Sequence, residues 1–270
     1  MKIIVWILVI VIALAIIAWL GLRVRPAPFD PVRLPASTVQ TVPLPDGLPA
    51  PVERFYRETY GDEIPVVETV VLSGRATMRI QGITFPARFR FTHRAGDDYR
   101  HYIEATIFGL PLMKVNERYL DGVGRMELPV GTVEDEPKVN QGANLALWAE
   151  GLWFPTLFIT DDRARWEAVD ENTALLFVPY GSDEEHFVVR FDPQTGRPRL
   201  VEAMRYKAEN SEEKTLWLNE ALQWGTVDGH PTATEAAVTW LDEGRPWATF
   251  SVEEILFNAD VDEYLHSRGP

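Results

Sequence analysis

Residues 83–94 read ITFPARFRFTHR, with Ile83, Phe85, Ala87, Phe89 and Phe91 on one side of an extended chain and Thr84, Arg88, Arg90 and Thr92 on the other. Period-two alternation with one apolar and one wet face marks a strand of an antiparallel sheet, since strands of parallel sheets are apolar on both faces. The neighbouring stretches VETVVLSGRATMRI (67–80) and YRHYIEATIFG (99–109) are rich in β-branched and aromatic residues, and turns at Gln81-Gly82 and Ala95–Asp98 separate them from it. The three form a meander.

The pattern extends in both directions. Further strands are expected at 112–122 and 124–133, then at 163–170, 173–180, 185–192 and 199–207, and near 214–224, 234–242 and 245–252. In EHFVVRFD (185–192) Phe187, Val189 and Phe191 form the apolar set, and His186, Val188 and Arg190 the wet one. Two helices interrupt this. Val52, Phe55, Tyr56 and Thr59 share a face between Pro51 and Gly61, and Leu145, Trp148, Ala149 and Leu152 recur at helical spacing within 140–151. The fold expected is mainly β (α+β): a large curved antiparallel sheet or half-barrel of about 11 strands, with a few helices on its concave side. Wide sheets curl to limit exposed edges, and a curled sheet needs its hollow filled by a helix, by side chains or by a ligand. An interior lined by Phe85, Phe89, Phe91, Ile107, Leu110 and Phe187 is the corresponding expectation.

Ahead of this domain, residues 3–20 (IIVWILVIVIALAIIAWL) contain no charge and no hydroxyl, with Trp6 and Trp19 near the ends. That length spans a bilayer core, and it exceeds the apolar region of a cleaved signal. The division expected is a transmembrane helix or signal anchor over 1–22, a proline-rich linker over 23–51 and a half-barrel domain over 52–270. The linker carries eight prolines and reads as an extended spacer holding the domain off the lipid. A single-pass location in the cell membrane follows, with residues 3–20 in contact with lipid and the domain placed outside the cytoplasm. Lys2 opposes Arg23 and Arg25, so the positive-inside rule leaves the direction open.

Composition excludes several classes. No Cys is present, which removes disulfides, thiolate metal sites and thiol nucleophiles. All 40 acidic residues lie beyond residue 29, against 23 basic ones there, a balance that repels nucleic acid. Nothing resembles a GxSxG nucleophile turn or a phosphate-binding glycine loop. The five histidines form no HExxH; His93 and His101 are able to approach across the 95–98 turn, with Asp97 or Asp98 as the acidic partner, but exposed strand positions explain them more simply. No metal, cofactor or catalytic residue is therefore assigned. The most unusual place is the helix exit, where Glu150 lies between Trp148 and Trp153, with Trp166 opening the next strand. Burial of Glu150 would call for a cation such as Arg205 or Arg165. The candidate ligand-contacting set is Trp148, Glu150, Trp153, Trp166, Arg205, His230, Phe89 and Phe91.

YLDGVGRMEL (119–128), NQGANLALWAEGLWFPT (140–156), RWEAVDENTA (165–174), Arg205-Tyr206 and WGTVDGHPTATEAAVTW (224–240), taken together, resemble a bacterial family of membrane-anchored proteins of unknown function. That family is similar in fold to the periplasmic lipoprotein carrier and receptor (LolA/LolB-like) group, which implies a half-barrel sheltering an acyl-chain cavity and no characterised chemistry. This chain departs from the carriers in lacking a lipidated Cys and in having a protein helix as anchor. The leading expectation is a non-enzymatic, membrane-tethered protein holding a lipid or other hydrophobic ligand. The alternative is an envelope scaffold or interaction module with a solid core. An enzyme would require polar groups such as Glu150 and His230 to converge in one cleft.

Overall fold

A computed structural model describes residues 2–35, 39–129 and 131–270. The linker reading at 36–38 and the strand reading at residue 130 fall outside them. Helix α1 (Lys2–Gly21) precedes a small ribbon of β1 (Thr41–Pro43) and β2 (Glu63–Pro65), with helix α2 (Ala50–Tyr60) between them. The rest is one antiparallel sheet in two runs. The first comprises β3 (Thr69–Ile80), β4 (Ile83–Arg94), β5 (Asp98–Ile107), β6 (Leu110–Leu120), β7 (Val123–Leu128) and β8 (Gly131–Glu134). The second comprises β9 (Arg165–Asp170), β10 (Thr173–Tyr180), β11 (Asp183–Phe191), β12 (Pro198–Arg205), β13 (Thr215–Val227), β14 (His230–Trp240) and β15 (Pro246–Phe257). Between the runs lie α3 (Pro137–Ala149), a 3₁₀ turn (Glu150–Leu152) and the short α4 (Leu157–Thr160); α5 (Asp262–His266) follows the last strand.

Each run is a meander, and β15 pairs with β3 to join them into a 13-stranded sheet ordered 8-7-6-5-4-3-15-14-13-12-11-10-9. The segment expected as one strand over 124–133 is two strands, which, with the other strands as expected, accounts for most of the higher count. At the seam, a Cβ on Gly74 would lie 2.0 Å from the Ser251 carbonyl oxygen, so only glycine lets β3 and β15 approach this closely. The outermost strands β8 and β9 are short, and β9 is charged and largely exposed. Such edges resist pairing with another chain.

Odd-numbered residues of β4 and β5 face the hollow, as the alternation requires; Ala87, Phe89, Phe91, Tyr99 and Ile103 are all buried there. Helix α3 lies in this hollow, with Leu145, Trp148 and Ala149 in the same core as Phe187, Val189 and Phe191. The even face of β4 is not wet throughout: Arg90 and Thr92 are buried. Its cover comes from the proline-rich segment, which is laid on the sheet instead of standing free as a spacer. Phe29 is buried under the Arg88 guanidinium, Arg88 donates to the Ala27 carbonyl at 3.1 Å, Arg90 donates to the Asp30 carbonyl, and the Val32 amide donates to Glu254 at 2.9 Å. Leu265 of α5 closes a second small core with Val71 and Val261 on that outer side.

The end of α1 meets the β5–β6 turn. The Phe108 amide donates to the Gly21 carbonyl at 2.8 Å, and Gly21 is buried against Ile107 and Phe108. This corrects the lining expected for the interior: Leu110 is 68% exposed at the turn, and Ile107 contacts the helix end. Period two gives the face a residue takes, but strand length decides whether it reaches past the hollow.

Replacing Gly74 by Ala forces the two runs apart at their single joint. The expected result is a loss of about 1–3 kcal/mol in a urea melt, the range for overpacking a close contact, with an unchanged far-ultraviolet spectrum below the transition.

Candidate functional site

His101 pairs with Phe91 and His93 with Tyr99 in the β4–β5 register, so the two imidazoles are diagonal neighbours on the hollow-facing side. Both are buried, since odd positions of β4 and β5 point at α3. Helix α3 ends beneath them and the 3₁₀ turn that follows brings Glu150 into the gap. Glu150 Oε2 is 2.8 Å from His101 Nε2 and 3.0 Å from His93 Nε2. The first contact is a hydrogen bond. The second lies off the line of an N–H bond, so both His93 ring nitrogens are buried without a hydrogen-bond partner among the described residues. Asp97 and Asp98, the acids expected beside the histidines, are engaged elsewhere: Asp97 with Arg163 at 2.9 Å and Asp98 with Arg94. A turn places its own residues at the sheet edge, whereas the histidines point inward.

A second carboxylate completes the group. Glu117 on β6 accepts from the Tyr99 hydroxyl at 2.5 Å and has its other oxygen 3.8 Å from His101 Nδ1. Burial disfavours a proton on His101, but Glu150 and Glu117 outweigh it and raise its pKa to about 9. Burial would raise Glu150, yet His101 and His93 hold it down at about 2. Glu117 is lowered in the same way, against its burial, by His101, Tyr99 and Arg205. His93 goes the other way: burial pulls it below its usual range, against the pull of Glu150. At neutral pH the set holds two carboxylates, the His101 imidazolium, a neutral His93 and the nearby Arg205. These charges cancel.

Arg205, at the end of β12, lies with its guanidinium carbon 4.4 Å from the Trp217 ring centroid and 5.8 Å from that of Trp240. Gly142 of α3 makes room for it, because a Cβ there would come within 3.0 Å of Arg205 Nε. Among the described residues no hydrogen bond or ion pair reaches this guanidinium, and its Nε is buried unpartnered. Burial lowers its pKa, but an arginine stays charged.

His101, Glu117, Glu150 and Arg205 border a cavity of about 270 Å³. Its remaining wall is chiefly apolar, with Phe91, Trp153, Trp217, Trp240, Trp247 and Phe250 as the large members. Of the candidate set, Glu150, Trp153, Arg205 and Phe91 meet here. Phe89 is buried behind Phe91 and Trp153, with ring centroids at 4.7 and 6.4 Å. Trp148 is fully buried on another side of α3, facing Arg163. Trp166 packs on Phe158 and donates to its carbonyl at 3.1 Å, away from the cavity. His230 packs at a tilt on Phe257, with ring centroids 4.3 Å apart, beside a different crevice, so it does not converge with Glu150. His101 was paired with His93 from the sequence but not with Glu150, and Glu117 and the tryptophans 217, 240 and 247 were not placed in the candidate set. A signal for Glu117 existed: it shares the inward phase of β6 with Val115 and Tyr119, where an acid is out of place.

The chemistry open to this group is proton exchange between His101 and its carboxylates, pairing of Arg205 with an anion, or metal ligation, because His93, His101 and Glu150 offer three ligand atoms within 4.8 Å of one another.

Residues 37–252 match the model of a family described as "Family of unknown function (DUF6544)", and the chain belongs to that family. No curated protein matches it. Among solved structures it is similar to a LolA superfamily protein from Nitrosomonas europaea, at 10% identity over 82% of this chain and 99% of that one, with a TM-score of 0.47. It is also similar to a DUF1329 family protein from Desulfovibrio piger, at 11% identity over 75% of this chain and 91% of that one, with a TM-score of 0.44.

The charge arrangement sets the pH dependence of chelator-treated protein. His101 is raised to about 9 in the fold from an ordinary 6.5, so its stabilisation is full below 6.5 and is lost as pH rises through 9. Glu150 is depressed to about 2, so its stabilisation is present above its ordinary value of 4.5 and is lost as pH falls towards 2. The melting temperature is expected to fall between pH 6.5 and 9 in the wild type, and His101→Gln is expected to flatten that limb and, by removing the cation that holds Glu150 and Glu117 down, to move the acid loss of stability to higher pH.

Proposed function

We propose that this chain is a membrane-tethered binding protein that takes one small amphipathic anion from the bilayer into the cavity between the sheet and α3. The observation that carries this is Arg205: a buried-edge cation with no protein partner, set between tryptophans on an otherwise apolar cavity wall. Glu117 and Glu150 balance its charge from a distance, but among the described residues no carboxylate hydrogen-bonds to the guanidinium, so its N–H groups suit an incoming carboxylate or phosphate, engaged through two parallel N–H bonds. At about 270 Å³ the cavity lies just below the range of about 300 to 1,000 Å³ for drug-sized ligands, which fits one short chain or one ring system. A whole diacyl phospholipid is too large.

The route from the bilayer follows from topology. Helix α1 has the length and composition of a membrane span, and its end is fixed to the β5–β6 turn. Because neighbouring strands are antiparallel, that turn shares a sheet edge with the β3–β4 and β14–β15 connections. Ile83, Phe108, Leu110, Leu112 and Leu241 are exposed along it. Exposed apolar side chains next to a membrane anchor favour contact with the lipid surface. Trp240, Trp247 and Lys207 bring the cavity wall to the same edge. The short β8 and the charged β9 disfavour strand addition at the sheet edges, one of the contact modes of the scaffold alternative.

Decanoate binding by full-length protein in nanodiscs, followed by the fluorescence of the cavity tryptophans, tests the reading. A saturable change is expected that decanol reproduces only weakly. Arg205→Met is expected to weaken decanoate by at least about tenfold, the loss implied by a charge-assisted pair. Equal binding of acid and alcohol, or an unaffected variant, would count against an anion site.

A further inference from the structure

We propose that His93, His101 and Glu150 bind one divalent first-row transition-metal ion, with its open coordination position towards the cavity. This does not depend on the amphipathic-anion reading; either can fail alone.

Geometry comes first. Zinc-like ions bind imidazole nitrogen and carboxylate oxygen at about 2.0–2.2 Å, which puts neighbouring ligand atoms roughly 3 Å apart. Glu150 Oε2 stands 3.0 Å from His93 Nε2 and 2.8 Å from His101 Nε2, and all three atoms fall within 4.8 Å of one another. The ligands come from two adjacent strands and a helix exit, elements rigid enough to hold the set without a mobile loop.

The second observation is His93 itself. It is fully buried, and neither ring nitrogen has a hydrogen-bond partner among the described residues. Buried polar groups ordinarily find partners, and a metal bond from Nε2 would supply one. The approach of Glu150 to that nitrogen, close but off the N–H line, is what two ligands of one ion show.

The outer arrangement agrees. A ligating histidine commonly has a carboxylate near its other nitrogen, which fixes the ring and strengthens the ligand. Glu117 stands in that place, 3.8 Å from His101 Nδ1, and the Tyr99 hydroxyl holds Glu117 in turn. Two imidazoles and one carboxylate suit zinc, iron(II), cobalt(II) or nickel(II), whereas calcium and magnesium prefer all-oxygen sets. Three protein ligands leave at least one position for water or another small ligand, and His101 and Glu150 both line the cavity. Binding requires His101 to give up its proton, so the ion replaces the imidazolium as the positive centre between the carboxylates.

The test uses tag-free, full-length protein in detergent, stripped with chelator and titrated with Co²⁺. The result expected is one equivalent bound, with visible absorption of a nitrogen- and oxygen-ligated ion of low coordination number, displaced by Zn²⁺. Glu150→Gln and His93→Gln are expected each to weaken Co²⁺ at least tenfold, and Glu117→Gln by 10- to 100-fold, as outer partners do. Circular dichroism confirms folding. Should a variant unfold, the cobalt spectrum of the wild type and the loss of two imidazole signals from its nuclear magnetic resonance titration carry the test. Absence of a stoichiometric ion in the wild type overturns the proposal, and so does binding that survives all three substitutions, which would place the ion on surface acids.

Discussion

A sheet of thirteen strands with one long helix to fill its hollow is the constraint on which the rest depends. Among the described residues the two meanders are joined where β15 pairs with β3, at a seam close enough to need Gly74. Curling brings β5–β7 to face β12–β15 across the hollow, and α3 fills one part of the space between them. The part left over is the cavity. It survives because the groups at its polar end are mutually neutralised, so that apolar wall and buried charge coexist without a large desolvation cost.

The chain makes use of both faces of this sheet. On the outer side, the proline-rich segment and α5 cover Arg90, Thr92 and Arg100, whose charges and hydroxyl would otherwise face water. On the inner side, alternation carries Phe89, Phe91 and their neighbours into the core. Laying the segment after α1 along the sheet also fixes the distance between that helix and the folded domain. The end of the helix touches the β5–β6 turn, so the domain's apolar turns and the apolar helix α1 lie at one end of the sheet.

Much of the fold was legible. The apolar sets in 83–94 and 185–192 are buried as alternation requires, α2 and α3 occupy the stretches where helical spacing recurs, and most strand limits fall within a few residues of those expected. What was not legible has physical reasons. The break between β7 and β8 did have a signal, Pro129 followed by Gly131, which the reading of 124–133 as one strand passed over. The wetness of Arg90 and Thr92 was inferred from residue type, and type says nothing about a distant segment laid over them. His93 and His101 were brought together by the hairpin, as their spacing allows. Their partner Glu150 is supplied by a helix exit about fifty residues further on, a juxtaposition that depends on how deeply α3 sits. Arg205 and Glu150 were paired as candidates on charge alone; they share the cavity, but Glu150 makes its close contacts with the histidines.

If the hollow beside α3 holds a ligand, that ligand travels with the purified protein. Native mass spectrometry of full-length protein released from detergent in the gas phase, with extraction and identification of small molecules from the same sample, tests it most directly. The result expected is one bound amphipathic acid per chain, lost on Arg205→Met. A chain that flies without any adduct when prepared gently from its own membrane, with wild type and variant indistinguishable, would contradict it.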